Sequence, residues 1–144
     1  MKRKAANLPP GSLVEALLDG RWRPCLLARR QGKDFQTLHL APLDPPGELL
    51  PVDPETKLNP LPGQLHLEPT PATGQEPGPP IPTGGAFSAP DGQWLKTEED
   101  YKGQRSLACV NLATGTIARR RDRQPEITPL TLTPPTRRWT WRRR

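Results

Sequence analysis

Apolar and β-branched residues in this chain come in short runs closed by Gly, Asp or Asn, a spacing that predicts strands rather than helices. Ser12-Leu-Val-Glu-Ala-Leu-Leu18 runs into Asp19-Gly20, the strongest short hairpin signal in the chain, and Arg21-Trp-Arg-Pro-Cys-Leu-Leu-Ala28 leads out of it. Gln31-Gly32-Lys33-Asp34 turns the chain again into Phe35-Gln-Thr-Leu-His-Leu40, so residues 11–40 read as a three-stranded meander. Ser12 and Glu15 also have the spacing of a helix capping box, but seven residues stopped by Asp-Gly make a poor helix. Pro24 removes a ladder donor, which predicts that its strand lies at an edge or bulges there.

A second set of runs begins at Gly85 and includes Asp91-Gly92-Gln93-Trp94-Leu95-Lys96-Thr97 and Arg105-Ser-Leu-Ala-Cys-Val-Asn-Leu112, with glycine turns between them. Thr114-Gly115 and Thr116-Ile117 follow, and the alternation from Pro129 to Thr133 extends this unit to residues 85–133. Asp19-Gly-Arg-Trp22 and Asp91-Gly-Gln-Trp94 echo each other, as the hairpins of a duplicated small unit would. Between the two units, residues 41–84 are so dense in proline that they read as an extended linker. Leu49, Leu50, Leu58, Leu61, Leu65 and Leu67 recur in its first half, which a fully solvated linker would not need.

Two resemblances sharpen this picture. Gly11, Val14-Glu-Ala16 and Asp19-Gly-Arg-Trp-Arg-Pro-Cys-Leu26 resemble the opening of Tudor-like and other SH3-like small barrels, over about thirty residues. Those methyl-lysine readers use an aromatic cage, for which the segment offers only Trp22 and Phe35, so methyl-lysine reading is not expected. The second unit, with Gly85-Ala-Phe87, Trp94-Leu-Lys96-Thr97 and Val110-Asn-Leu-Ala-Thr-Gly115, is similar to small, mostly uncharacterised bacteriophage and prophage proteins. It departs from them after the hairpin, where Arg119-Arg-Arg-Asp-Arg123 replaces an acidic turn. The expected fold is mainly β: one or two small SH3-like barrels or meanders joined by a long Pro-rich extended segment, with basic extended termini. The divisions are 1–10 (basic arm), 11–40, 41–84 (linker), 85–133 and 134–144 (Arg/Trp-rich tail).

Composition narrows the chemistry. With 144 residues, 33% hydrophobic and 21 prolines, any packed core is small. The formal charge of +6 is concentrated at the two ends and around Arg119–Arg123, which favours a polyanion or an acidic protein face, or serves solubility alone. Cys25 and Cys109 lie in apolar runs and read as buried small hydrophobes; His39 and His66 lack the spacing that would complete a zinc site with them. Met1-Lys-Arg-Lys4 is followed by no apolar stretch suited to a leader, and no run is long enough to span a membrane. The expected location is the cytoplasm of a host cell or a virion, with no membrane partner.

Enzyme motifs do not emerge: the glycines make no phosphate-binding loop, no serine sits in a nucleophile elbow, and Glu98-Glu99-Asp100 reads as a solvated turn. No catalytic group, cofactor or metal is expected. The candidate binding residues are Arg119, Arg120, Arg121 and Arg123, together with Arg137, Arg138, Trp139, Trp141, Arg142, Arg143 and Arg144. Arginines neutralise phosphates and tryptophans stack on bases, so this set suits nucleic acid. The leading reading is a non-enzymatic structural protein, a virion or assembly component of a phage or prophage whose extended arms anchor on protein neighbours or on copies of itself, and nucleic-acid binding through the Arg/Trp-rich tail and the basic hairpin is the alternative.

Overall fold

The computed structural model describes residues 2–70, 81–119 and 127–135. Arg3–Lys4 (β1), Leu13–Leu18 (β2), Arg21–Gln31 (β3), Gln36–Pro42 (β4), Leu50–Pro51 (β5) and Lys57–Pro60 (β6) form one antiparallel sheet in the order β1-β6-β2-β3-β4-β5. His66–Pro69 (β7), Ala86–Ala89 (β8), Gly92–Tyr101 (β9), Gln104–Asn111 (β10), Ile117–Ala118 (β11) and Thr128–Thr133 (β12) form the other, in the order β7-β12-β8-β9-β10-β11. The protein is mainly β, and its second sheet repeats the first strand for strand. β7 to β12 take the places of β1 to β6, so the molecule is a duplicated six-stranded unit.

The duplication carries a register slip. In the first hairpin Leu18 faces Arg21 across Asp19-Gly20, whose φ values of 51° and 79° match the paired positive angles of a type I′ turn. In the second, Ala89 faces Gly92, so the turn residues are Pro90-Asp91 and the positive φ moves to Gly92 at 134°. Proline cannot adopt a positive φ, which excludes the first solution. The two Asp-Gly-x-Trp echoes are therefore out of step by one residue, and a one-residue slip sends a side chain to the opposite face. Trp22 is 40% exposed beside Leu17, whereas Trp94 is 6% exposed and packs with Phe87, Ile81 and Cys109.

The linker expected over 41–84 is not what residues 41–70 form. They finish β4 and supply β5, β6 and β7, and β6 lies between β1 and β2 inside its sheet. Pro42, Pro51, Pro60 and Pro69 are each the last residue of their strand, where a missing N–H interrupts no further pairing. Leu49, Leu58 and Leu61 are buried, and Leu65 and Leu67 pack against the core, which accounts for the leucine recurrence. The N-terminal arm is likewise docked: Arg3 and Lys4 pair with Leu58 and Lys57, and Ala5 and Leu8 are buried. Residues 71–80 and the tail from Thr136 onward lie outside the described residues. Pro24, expected at an edge or a bulge, sits in a strand flanked by both β2 and β4. Its carbonyl accepts from Leu43, one residue past the end of β4, so its ring faces a place where the regular ladder has stopped.

The two sheets share one core cluster, beside a cluster around Val14, Leu27 and Leu58 in the first sheet and one around Phe87 and Trp94 in the second, and they exchange loops. Leu26, Ala28, Ala41, Leu43 and Leu49 from the first pack with Ala86, Leu95, Ala108, Val110 and Leu112 from the second. The loop between β4 and β5 reaches across to β9, where Leu49 N–H donates to the Glu98 carbonyl at 2.9 Å and Glu98 N–H to Gly47 at 2.8 Å. The loop between β10 and β11 returns the contact on β3, where Arg29 N–H donates to the Gly115 carbonyl at 2.8 Å. Equivalent loops of the duplicate thus extend equivalent strands of the opposite sheet.

Candidate functional site: a cleft at the seam

The Val-Asn-Leu-Ala-Thr-Gly run that carries the phage-protein resemblance builds the clasp on β3. Asn111 Oδ1 accepts from Ala113 N–H at 2.9 Å and Thr114 N–H at 3.0 Å, and Gly115 N–H donates back to the Asn111 carbonyl at 2.8 Å. Asparagine side chains favour such turns because the carbonyl replaces a backbone acceptor. Gly115 is required for a stricter reason: a Cβ there would stand 2.4 Å from Gly11 N and 2.5 Å from Leu27 O. This motif is a structural fastener, and it holds β11 with Arg119 just after it beside the end of β3.

Where β3, β9, β10 and β11 meet, a cleft of about 680 Å³ opens, lined by Arg30, Phe35, Glu99, Tyr101, Ser106 and Arg119 among others. That volume lies within the range of ligand clefts, about 300–1,000 Å³. Phe35 is 59% exposed and Tyr101 43% exposed, both unusual for large apolar rings at a surface. A Cβ on Gly32 would meet the Phe35 ring at 2.5 Å, so the absence of a side chain there lets the ring sit against the chain. The Arg30 guanidinium and the Lys102 ammonium each stand 5.2 Å from the centre of the Tyr101 ring, within cation–π range.

Alternation along β9 divides its acids between two faces. Glu99 and Tyr101 point to the cleft, where the buried Glu99 carboxylate takes both arms of Arg30, one of them at 2.9 Å. Glu98 and Asp100 point the other way and bind Arg105 at 3.1 and 3.2 Å, with Glu48 joining at 3.0 Å. These hydrogen bonds, Asp100 first, raise the Arg105 pKa further above its ordinary value. The acidic triplet is thus a set of strand positions with assigned partners, in place of the solvated turn its sequence suggests. His39 is buried behind the same pair, bonded to Thr37 Oγ1 at 3.0 Å, with Nδ1 unpartnered among the described residues. Burial, then the Arg30 charge, lowers its pKa from 6.5, against the opposing pull of Glu99. Both cysteines are buried and free, and burial pushes the Cys25 thiol up to about 12.

Of the candidate binding residues, Arg119 is exposed and lines the cleft. Arg120, Arg121, Arg123, Arg137, Arg138, Trp139, Trp141, Arg142, Arg143 and Arg144 lie outside the described residues. Sequence reasoning missed Arg30, Tyr101 and Lys102, and took Phe35 as an ordinary strand residue. The available signals were Gly32 three residues before Phe35, and an aromatic followed directly by Lys102-Gly103 at a hairpin turn. Trp22 and Phe35, the two aromatics of the small-barrel resemblance, line different clefts. Among the described residues no three His, Cys, Asp or Glu side chains cluster as metal ligands, and no helix is long and apolar enough to cross a membrane. No protein-family model, curated protein or solved structure matches the chain.

Proposed function

We propose that this is a non-enzymatic binding protein whose ligand is nucleic acid, held at the seam of the two sheets. The observation that carries this reading is the convergence of Phe35, Tyr101 and Arg119 on one cleft, with Lys102 against the Tyr101 ring. Exposed rings beside exposed cations serve stacking and phosphate contact together. Arg119 is also the first residue of the basic run to Arg123, so the cleft opens where the charge of the chain begins to accumulate.

The test is binding of the purified protein to labelled nucleic acid across a salt series, beside Arg119→Ala and a chain ending at Thr136. Each phosphate contact removed should flatten the dependence of log affinity on log salt by about one. Salt-independent or absent binding would overturn the reading.

A second reading, in which the protein is a component of a phage-like assembly, is favoured by the exposed Leu17–Trp22 pair on the first hairpin. Apolar side chains paired on an outer face suit a protein neighbour. Sedimentation of the protein and of Trp22→Ala checks it: self-association that the substitution abolishes supports a homo-oligomer.

A further inference from the structure

We infer that the nucleic acid bound at the seam is single-stranded, with one base lying on Phe35; this rests on the nucleic-acid reading above. Three observations lead there. The Phe35 ring is held against Gly32 and is largely exposed at the mouth of a cleft. Bases in a duplex are already stacked and offer no free face to such a ring, whereas those of a single strand do. The β9–β10 ribbon is the element beside the cleft with the shape to enter a major groove. Its outer face, however, carries Glu98 and Asp100, with Glu48 beside them, against the single charge of Arg105. Phosphates on both sides of an inserted ribbon would meet those acids. A single strand can stay on the opposite face, along Phe35, Tyr101 and Arg119.

Tyr101 has a different task from Phe35. With Arg30 and Lys102 close to its ring, it fixes cations near the path of the backbone and offers less free surface for stacking. Arg30 is itself committed to Glu99, which leaves Lys102 and Arg119 for the phosphates.

Fluorescence anisotropy with oligothymidylate and oligouridylate of about 12 nucleotides, within the site sizes single-strand binders use, against a duplex of equal length, tests this. Single strands of either sugar should bind at least about tenfold more tightly than the duplex. Phe35→Ala should weaken single-strand binding by about 5- to 150-fold, the range that loss of one base–aromatic stack produces. Phe35→Tyr should restore it, and duplex binding should not respond to either substitution. Equal affinity for duplex and single strands, or single-strand affinity indifferent to Phe35→Ala, would overturn the inference while the broader reading stands. Failure to bind any of the three probes would overturn both.

Discussion

Burial, and then the Arg30 charge beside it, disfavours the charged form of His39 in the fold, and this ties stability to pH. Its folded pKa lies below the ordinary 6.5, so the unfolded chain binds more protons wherever pH falls between the two values. The contribution is fully present above 6.5 and is lost as pH drops through that value toward the folded pKa. Melting temperatures measured between about pH 8 and about pH 5 should fall for the native chain and fall less for His39→Gln. Parallel curves for the two proteins would remove His39 from the account. The pair it faces is more consequential. Glu99 is buried and holds Arg30 with two bonds, so Glu99→Ala should cost about 3 kcal/mol in urea denaturation, because it strands a partly buried guanidinium. Arg30→Met combined with Glu99→Leu should lose much less than the sum of the single changes, since neither charge is then left alone. The sequence hid this pair: Glu99 stood between two other acids, and only strand alternation separates it from them.

At the scale of elements, glycines that look alike in the sequence differ in what surrounds them. Gly20 and Gly115 both follow a turn-forming residue and both have positive φ, 79° and 73°. A Cβ on Gly20 would meet nothing within 4 Å, so Gly20→Ala should cost about 1 kcal/mol from the left-handed backbone alone. A Cβ on Gly115 would collide with the backbone of the other sheet, so Gly115→Ala should cost well over 2 kcal/mol or prevent folding. Denaturant midpoints of the two variants compare these directly, and similar losses would mean that the clasp gives way easily. The first hairpin was legible because the Asp19-Gly20 turn and the apolar runs beside it are local signals, whereas the Lys102-Gly103 turn was passed over for the acidic triplet before it. The meander expected over 11–40 accordingly appears as β2, β3 and β4. Strands ending in proline were not legible, because a proline-dense segment looks the same from sequence whether its prolines close strands or fill a linker. The phase of the second hairpin was also beyond reach, since the Asp-Gly echo pointed to a turn one residue away from the one formed.

For the whole molecule, the arrangement of the sheets follows from contacts between residues far apart in sequence, and no local pattern announces them. The shared cluster that holds Leu26 and Val110 and the loop exchange at β3 and β9 make each unit complete the other. Each unit alone would leave its half of that core facing water and keep only the cluster around Val14, Leu27 and Leu58 in the first sheet or around Phe87 and Trp94 in the second. The molecule should therefore unfold as one body, although the sequence divides it into two units. Leu95→Ala is a suitable probe because Leu95 is fully buried in the shared core but belongs to the second sheet, in β9. Removing it should cost about 2–5 kcal/mol. If the two units are coupled, native-state hydrogen exchange of the slowest amides in β2 and β3 should accelerate by the same factor as that of amides in β9 and β10. If they are independent, the second sheet alone should respond, and the first should keep its native protection. The same coupling bears on the proposed binding site, whose walls come from both units: a change that separated the sheets would open the cleft and remove Arg119 from Phe35 without touching either side chain.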